Sequence, residues 1–342
     1  MIITQTPFRM SFFGGGTDYP EFYKEHGGCV ISTTFDKYCY VMVRHLPPFF
    51  DYSNQVTYGI IERTNSADEI VHPAVRGAMK WLNMYELRIV YEADLPAKSG
   101  LGSSSSFAVG LLSAFYALKG KYADNKKLAD DAIYLERTLC NESGGIQDQI
   151  AVAYGGFNRI DFSADGYTVS PIIMPDNRKK KLNSRLMLFF TGFSRISSSI
   201  AVKQKQASHE KVKELLEMKA LVDEAEKILV STSDNINEFG RLLDYSWKVK
   251  RSLTEDISSD AVDEIYNRAI RAGALGGKLL GAGGGGFMIF YVEPDKQEAV
   301  KSALSDLLYV PFEFENLGSK VMYYKAETYK KCKKQKRSTP NG

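Results

Sequence analysis

Little in this sequence of 342 residues points to a metal cluster, a disulfide framework or a membrane span. It has only four cysteines, Cys29, Cys39, Cys140 and Cys332, and no two of them form a CxxC pair. Such spacing fits reduced thiols in a cytoplasm better than zinc or disulfides. Four histidines, His26, His45, His72 and His209, are scattered, and none has metal-ligand spacing with a second His or Cys. There is no run of about 18 uncharged apolar residues, so no transmembrane helix is expected. Met1 to Met10 lacks an apolar run preceded by positive charge, so no secretory signal is expected. The 44 Lys and Arg against 41 Asp and Glu leave a net charge of +3, too small to imply nucleic acid. At 44 % hydrophobic and 25 % charged residues, the chain has an ordinary globular composition and enough length for two domains.

The most informative stretch runs from Pro96 through Ala97, Lys98, Ser99, Gly100, Leu101 and Gly102 to Ser103-Ser104-Ser105-Ser106. Before it, Leu87 to Tyr91 reads as a strand. After it, Phe107 to Leu118 reads as a buried helix. A helix opens with free backbone N–H groups and a positive dipole end, which suit a phosphate. Gly100 and Gly102 lack a Cβ, so the backbone there can turn tightly and approach a ligand. The serine hydroxyls can cap the helix, donate to phosphate oxygens or hold Mg²⁺. A serine-rich N-cap is the plainer reading, but four serines and Lys98 are more than a cap needs.

Two more glycine clusters flank this one. Residues 2–13 read as a strand that Gly14-Gly15-Gly16-Thr17-Asp18 breaks before a short helix, Tyr19 to Glu25. Taken alone, Arg9 could be a strand-edge charge and Asp18 a helix N-cap. The strands expected next are Cys29–Thr34, Tyr38–Arg44 and Val56–Tyr58, followed by a helix over Ile70–Trp81. From Asp124, Leu128, Ala132, Leu135 and Leu139 recur at helical spacing, with Glu136 on a neighbouring stripe. Asp148 stands three residues past Gly144-Gly145 among apolar neighbours, either a helix-start charge or a catalytic group in a cleft. Arg178 to Lys181 reads as a solvated basic turn, and Leu186–Phe190 as a strand buried on both faces. A domain boundary is expected near residue 182, followed by polar helices over about 200–230 and 234–251 and an amphipathic one over Ala261–Ala272. The last cluster, Gly276 to Gly286, contains Gly281, Gly283 and Gly286 at GxGxxG spacing, but a strand (Phe287–Val292) follows where a dinucleotide site needs a helix. Lys278 precedes Leu279 rather than Ser or Thr, so the cluster is no Walker A loop. A helix (Lys296–Leu308) and a strand (Val310–Glu315) complete an α+β unit, and 330–342 form a basic tail expected to be disordered.

Pro7 to Pro20, the PxxxGLGSS element at Pro96, Gly100, Leu101, Gly102, Ser103 and Ser104, and Lys278 to Gly285 together resemble the three motifs of the GHMP kinase superfamily. The resemblance covers residues 7 to 292. It implies a two-domain α+β fold, with a ribosomal-protein-S5-like N-terminal domain (1–182), a ferredoxin-like C-terminal domain (183–329) and the tail (330–342). It implies an ATP-dependent small-molecule kinase in which the phosphates of ATP rest on Pro96 and Lys98 to Ser105. Asp148 would be general base or would polarise the attacking hydroxyl, and Arg9 would stabilise the transferring charge. Glu136 would bind Mg²⁺ with Ser103 or Ser104. Gly14, Gly15, Gly16, Thr17, Asp18, Gly283 and Gly284 would face the substrate.

Phe13-Gly14-Gly15-Gly16-Thr17-Asp18 stands where galactokinases carry IGEHTD. Together with PAKSGLGSSS and TGFSR (Thr191–Arg195) it is similar to the branch acting on heptose 7-phosphate. That implies phosphorylation at C1 to a 1,7-bisphosphate on the route to a GDP-activated heptose. Fucokinase-like sugar 1-kinases share much of this pattern, and a nucleotide sensor on the same scaffold is the alternative from another class. Keeping Arg9, Glu136 and Asp148 favours the enzyme. Lys98 and Arg195 are the candidate cations for the acceptor's own phosphate, or ordinary surface charges. No nucleic-acid or membrane partner is expected, and a homodimer is left open.

Overall fold

The computed structural model describes residues 1–97, 99–192, 210–233, 235–281 and 283–325. Lys98, Arg195 and the basic tail with Cys332 lie outside the described residues. Cys29, Cys39 and Cys140 are free thiols. Among the described residues no helix is long and apolar enough to cross a membrane.

The first half of the chain comprises β1 (Ile2–Phe13), α1 (Pro20–His26), β2 (Gly28–His45), β3 (Asn54–Thr57), β4 (Ile61–Thr64), α2 (Pro73–Trp81) and β5 (Leu87–Ala93). Then come α3 (Ser103–Leu118), α4 (Asn125–Ile133), α5 (Gln147–Tyr154), β6 (Phe157–Ser163), β7 (Gly166–Pro171) and α6 (Asp176–Asn183). The second half holds β8 (Leu186–Phe190), α7 (Val212–Val230), α8 (Asn237–Arg251), α9 (Asp260–Arg271), β9 (Ala274–Leu279) and β10 (Phe287–Val292). It ends with α10 (Gln297–Ala303), β11 (Leu308–Val310), β12 (Phe314–Glu315) and β13 (Lys320–Tyr324).

Two sheets result. The larger has the strand order β13-β1-β2-β5-β3-β4, with β6 and β12 also paired to β2 and β7 paired to β6. The two strands expected over 29–34 and 38–44 are one strand of 18 residues, β2. What reads as a break at Asp36-Lys37 is a bulge, because the pairing with β1 jumps from Pro7–Tyr38 to Phe8–Phe35. Pro7 has no N–H for the ladder, and a bulge bends and twists the strand that carries it. Helix α3 lies across β1 and β2, where Gly110 lets the Thr4 hydroxyl reach its carbonyl oxygen at 3.0 Å. Helix α2 starts only at Pro73, since the backbone N–H groups of Val71 and His72 donate to the Glu62 carboxylate instead.

The smaller sheet runs β11-β8-β10-β9, all antiparallel. Fourth, first, third, second is the order of a ferredoxin-like unit, so the α+β architecture implied by the motifs is the one found. The strand expected over Val310–Glu315 is divided by Pro311. Leu308–Val310 stays on the smaller sheet, while Phe314–Glu315 pairs with Phe35 and Thr34 of β2. Residues 320–324 then pair with β1. A single cut near residue 182 therefore does not divide the two sheets, because residues 314–324 belong to the first. Phe239 of α8 seals the seam, packing edge-on against Phe12 and Phe13 of β1 with ring centres 5.4 and 5.2 Å away.

The expected solvated turn at Arg178–Lys181 is corrected: it is part of α6, and Arg178 is 8 % exposed. Its guanidinium donates to the carbonyl oxygens of Ile228, Leu229 and Ser233, at and just beyond the end of α7. Terminal helix carbonyls have no partner within the helix, and a buried cation supplies one. Arg178→Ala is therefore expected to lower the unfolding free energy by about 1.5–3 kcal/mol, the range for hydrogen bonds from a charged donor. Urea unfolding of the purified variant checks this; an unchanged midpoint would leave Arg178 without a capping role.

Candidate active site

Helix α3 starts at Ser103, four residues earlier than the apolar run suggests. Gly102 is its N-cap, in the left-handed conformation at φ 74° and with no side-chain cap. The serine hydroxyls are therefore not helix caps, and three of them point to particular partners. Ser106 donates to the Pro7 carbonyl at 2.9 Å, while Ser104 and Ser105 both donate to the carboxylate of Glu136. Ser99 is 1 % exposed, and its hydroxyl has no partner among the described residues. Leu101 is fully buried, and its carbonyl accepts from the backbone N–H of Arg9 at 3.1 Å. That bond fixes the serine loop against β1.

Arg9 is 3 % exposed and lies beneath the loop. Its Nε and Nη2 donate to the two oxygens of Asp148 at 2.7 and 2.6 Å, and Nη1 donates to the Gly100 carbonyl at 2.7 Å. The planar fork holds a carboxylate bidentately, which fixes orientation as well as charge. Arg9 is thus no strand-edge charge in water. The Asp148 side chain is 26 % exposed, so the pair opens to solvent on the carboxylate's side.

Asp18 is not the cap of α1, whose N-cap is Tyr19 without a side-chain bond. It is 2 % exposed and its oxygens accept from the backbone N–H groups of Gly16 and Gln147. Burial first, and the charge of Asp148 second, raise its pKa above the usual carboxylate range. Asp18 thus joins the first glycine cluster to the start of α5. Gly145 must be glycine here, since a Cβ would stand 1.8 Å from an Asp18 oxygen. Thr17 donates to the Gly14 and Cys29 carbonyls, and a Cβ on Gly14 would meet the Cys29 oxygen at 1.9 Å. These two residues build the turn. Around Gly15 a Cβ would meet only Gln147 and Ser11, at 3.8 Å, and Gly16 faces Leu215 and Leu253 from the second half of the chain.

Glu136 is 2 % exposed and sits on a wide π-helical turn, Tyr134–Leu139, that continues α4. Such single turns re-aim side chains that a regular helix would place elsewhere. Its carboxylate accepts from Ser104, Ser105 and the Gln149 amide. Burial and the nearby Glu142 push its pKa up to about 7, against the lowering effect of those three donors. Among the described residues no group of three or more His, Cys, Asp or Glu could hold a metal by itself. One buried carboxylate beside serine hydroxyls offers hard oxygen atoms, the kind of donor that suits Mg²⁺.

The last glycine cluster meets the serine loop backbone to backbone. A Cβ on Gly281 would lie 2.4 Å from the Gly100 Cα, and one on Gly286 would lie 2.3 Å from the Ser99 carbonyl oxygen. Gly283 and Gly284 reach instead to Ile257, whose carbonyl accepts from the Gly284 N–H. Two buried lysines, unassigned from the sequence, fasten this arrangement. Lys278 is 3 % exposed and donates to the Ser11 and Phe12 carbonyls, both at 2.8 Å. Lys250 is 5 % exposed and donates to the Gly281 carbonyl at 2.6 Å. The signal for Lys250 was present: Phe239, Leu243, Ser246, Trp247 and Lys250 form one buried helical stripe. Gln149 also escaped notice, though it follows Asp148 by one residue.

The chain is similar to known proteins over most of its length. The family description "GHMP kinases N terminal domain" matches residues 69–156, and "GHMP kinases C terminal" matches residues 213–310. The chain is 30 % identical over 317 residues to D-glycero-alpha-D-manno-heptose 7-phosphate kinase of Campylobacter jejuni, covering 89 % of this chain and 93 % of that protein. It is 26 % identical to L-fucokinase/L-fucose-1-P guanylyltransferase of Bacteroides fragilis, over 87 % of this chain but 35 % of that protein. A crystal structure of a D-glycero-D-manno-heptose 1-phosphate kinase from Bacteroides thetaiotaomicron superimposes with a TM-score of 0.70 at 24 % identity, over 95 % of this chain and all of that one, which speaks to the fold alone.

A methyl group at Gly102 tests the serine loop. An alanine held in the left-handed conformation is destabilised by roughly 1–2 kcal/mol. Its Cβ would also stand 3.2 Å from the Arg9 Cγ and 3.6 Å from an Asp148 oxygen. Gly102→Ala is expected to lower turnover by up to about 10²-fold, beyond its effect on thermal stability. Parallel melting and steady-state assays check this, and turnover falling no more than stability would free the loop from the site.

Proposed function

The chain belongs to the GHMP kinases and is an ATP-dependent sugar kinase, and we propose that its acceptor is D-glycero-α-D-manno-heptose 7-phosphate, phosphorylated at C1 to the 1,7-bisphosphate. The observation that carries the mechanism is the bidentate Arg9–Asp148 pair at the mouth of the serine loop. The sugar rests on the 30 % identity to the heptose 7-phosphate kinase and on the GGGTDYP and TGFSR segments.

ATP presents its phosphates to the start of α3, where the N–H groups of Ser104 and Ser105 have no helical acceptor and the dipole is positive. Arg9 holds the Asp148 carboxylate turned, so that one oxygen can receive the proton of the C1 hydroxyl or align it for attack. Further N–H groups of the guanidinium meet the charge that develops on the phosphoryl group. Positioning and charge neutralisation do most of the work in such a transfer, with little covalent chemistry for the protein. Mg²⁺ would be held by Glu136 with Ser104 or Ser103, and when bound it neutralises phosphate charge. Gly15, where a Cβ would meet only Gln147 and Ser11 at 3.8 Å, gives the sugar its approach.

The test is turnover on heptose 7-phosphate, free heptose, L-fucose and galactose, with NMR of the product. Heptose 7-phosphate is expected to lead by about one to two powers of ten in kcat/KM, the effect of one charge-assisted contact to its phosphate. Lys98→Ala or Arg195→Ala should narrow that lead. Asp148→Asn should keep ATP binding and lose about 10²–10⁴-fold in kcat. A better rate on L-fucose would move the chain to the fucokinase branch, and near-native turnover by Asp148→Asn would remove the base.

Glu136 supplies a pH-dependent prediction. Its pKa near 7 lies above the ordinary carboxylate value, so the protein alone holds a proton there below pH 7. A cation must displace that proton, so divalent binding to the nucleotide complex releases protons and weakens as pH falls below about 7. Calorimetry in two buffers of different ionisation enthalpy measures the release, which Glu136→Gln should abolish. Equal proton release in the variant would place the cation elsewhere.

A further inference from the structure

Lys250 lies outside every motif discussed above, yet its surroundings are those of a working group. Its ammonium is 5 % exposed and has the Gly281 carbonyl as acceptor at 2.6 Å. It forms no ion pair among the described residues. The charged groups that face it are Arg9 on β1, Asp18 beyond β1, Asp148 on α5 and Lys278 on β9. Asp148 is taken by Arg9, and Asp18 is engaged by backbone N–H groups. A buried cation without a carboxylate of its own, next to two other basic groups, is unfavourable unless a ligand completes it. An ammonium has three donors, and a single protein carbonyl leaves two for an anion.

A continuous chain of contacts leads from this lysine to the reacting carboxylate. Lys250 holds Gly281, Gly281 presses on Gly100, and the Gly100 carbonyl holds the Arg9 guanidinium, which holds Asp148. We propose that Lys250 is a positioning residue for phosphoryl transfer: as a cation it fastens the Gly281 loop onto the serine loop, keeping Arg9 on Asp148, and the phosphoryl group in the cleft is the anion that completes it. This rests on the kinase chemistry of the site and not on which sugar is the acceptor.

Burial and the repulsion of Arg9 bring the Lys250 pKa down to about 8, with Asp18 and Asp148 acting the other way. The ammonium is therefore present below about pH 8 and lost above it, so kcat/KM should fall as pH rises through about 8. A bound phosphoryl group favours the charged form, so the fall in kcat should come at higher pH than the fall in kcat/KM.

The experiment compares the wild type with Lys250→Met and Lys250→Arg, using whichever sugar the enzyme accepts, together with calorimetric binding of a non-hydrolysable ATP analogue. Lys250→Met is expected to keep its fold and bind the analogue, but to lose about 10- to 100-fold in kcat. Lys250→Arg is expected to recover most of that loss and to lack the fall near pH 8, because an arginine stays charged. A kcat within twofold of wild type in Lys250→Met overturns the proposal. So does an arginine variant no better than methionine, or one that keeps the same fall near pH 8. Should Lys250→Met fail to fold, the pH profile of Lys250→Arg still decides. Loss of heptose 7-phosphate as the preferred acceptor, with these results intact, would count against the substrate and not against Lys250.

Discussion

The site depends on two stretches of backbone touching with no side chain between them. Gly100 and Gly281 lie in loops that follow strands of the two different sheets, and each stands where a Cβ would strike the other loop's backbone. Both have positive φ, at 82° and 80°, a conformation that L side chains rarely adopt. Glycine is therefore required there for conformation and for space. Because the contact is between backbones, it brings the Gly100 carbonyl to a fixed place, and the Arg9–Asp148 pair takes its position from that carbonyl. The fold around it holds this seam closed from several directions: Phe239 between two aromatic residues of β1, Lys278 on two β1 carbonyls, and Lys250 on Gly281.

Polar groups in this interior have separate duties that one-dimensional reading blurs. Glu136 and Asp148 are both acidic, yet one is nearly wholly buried among serine hydroxyls and the other opens to solvent beside an arginine. Burial pushes the first toward neutrality, whereas a guanidinium fork keeps the second in place. The surroundings thus give the two acids different chemistry, which the proposed roles of cation ligand and proton acceptor require.

The parts legible in the sequence were those whose chemistry is local. The serine loop, its glycines and the helix after it follow from spacing and from what a helix N-terminus offers. Asp148 stood out from its placement as a helix-start charge or a catalytic group, but Arg9 and Glu136 were readable only through the family motifs, because residues far apart in sequence bring them together. The bulge opposite Pro7 passed as a gap, since a local pattern cannot tell an interrupted strand from one with unpaired residues. Arg178 was read as solvated because the carbonyls it caps belong to a helix about fifty residues later. Lys250 was overlooked, and Lys278 was noticed only as part of a motif, because a buried lysine has no signature of its own beyond its place on an apolar stripe.

The return of residues 314–324 to the first sheet has a consequence for how the molecule is made. Strand β1 pairs along one side with β2, which follows it closely in the sequence, but its other neighbour, β13, comes only after the whole smaller sheet. Until then that side of β1 is an open edge beside an apolar interior, the kind of surface that invites mispairing. The whole smaller sheet is translated in the interval. The first sheet therefore cannot close before the smaller sheet has been made, and its closure is a long-range step of the kind that slows folding.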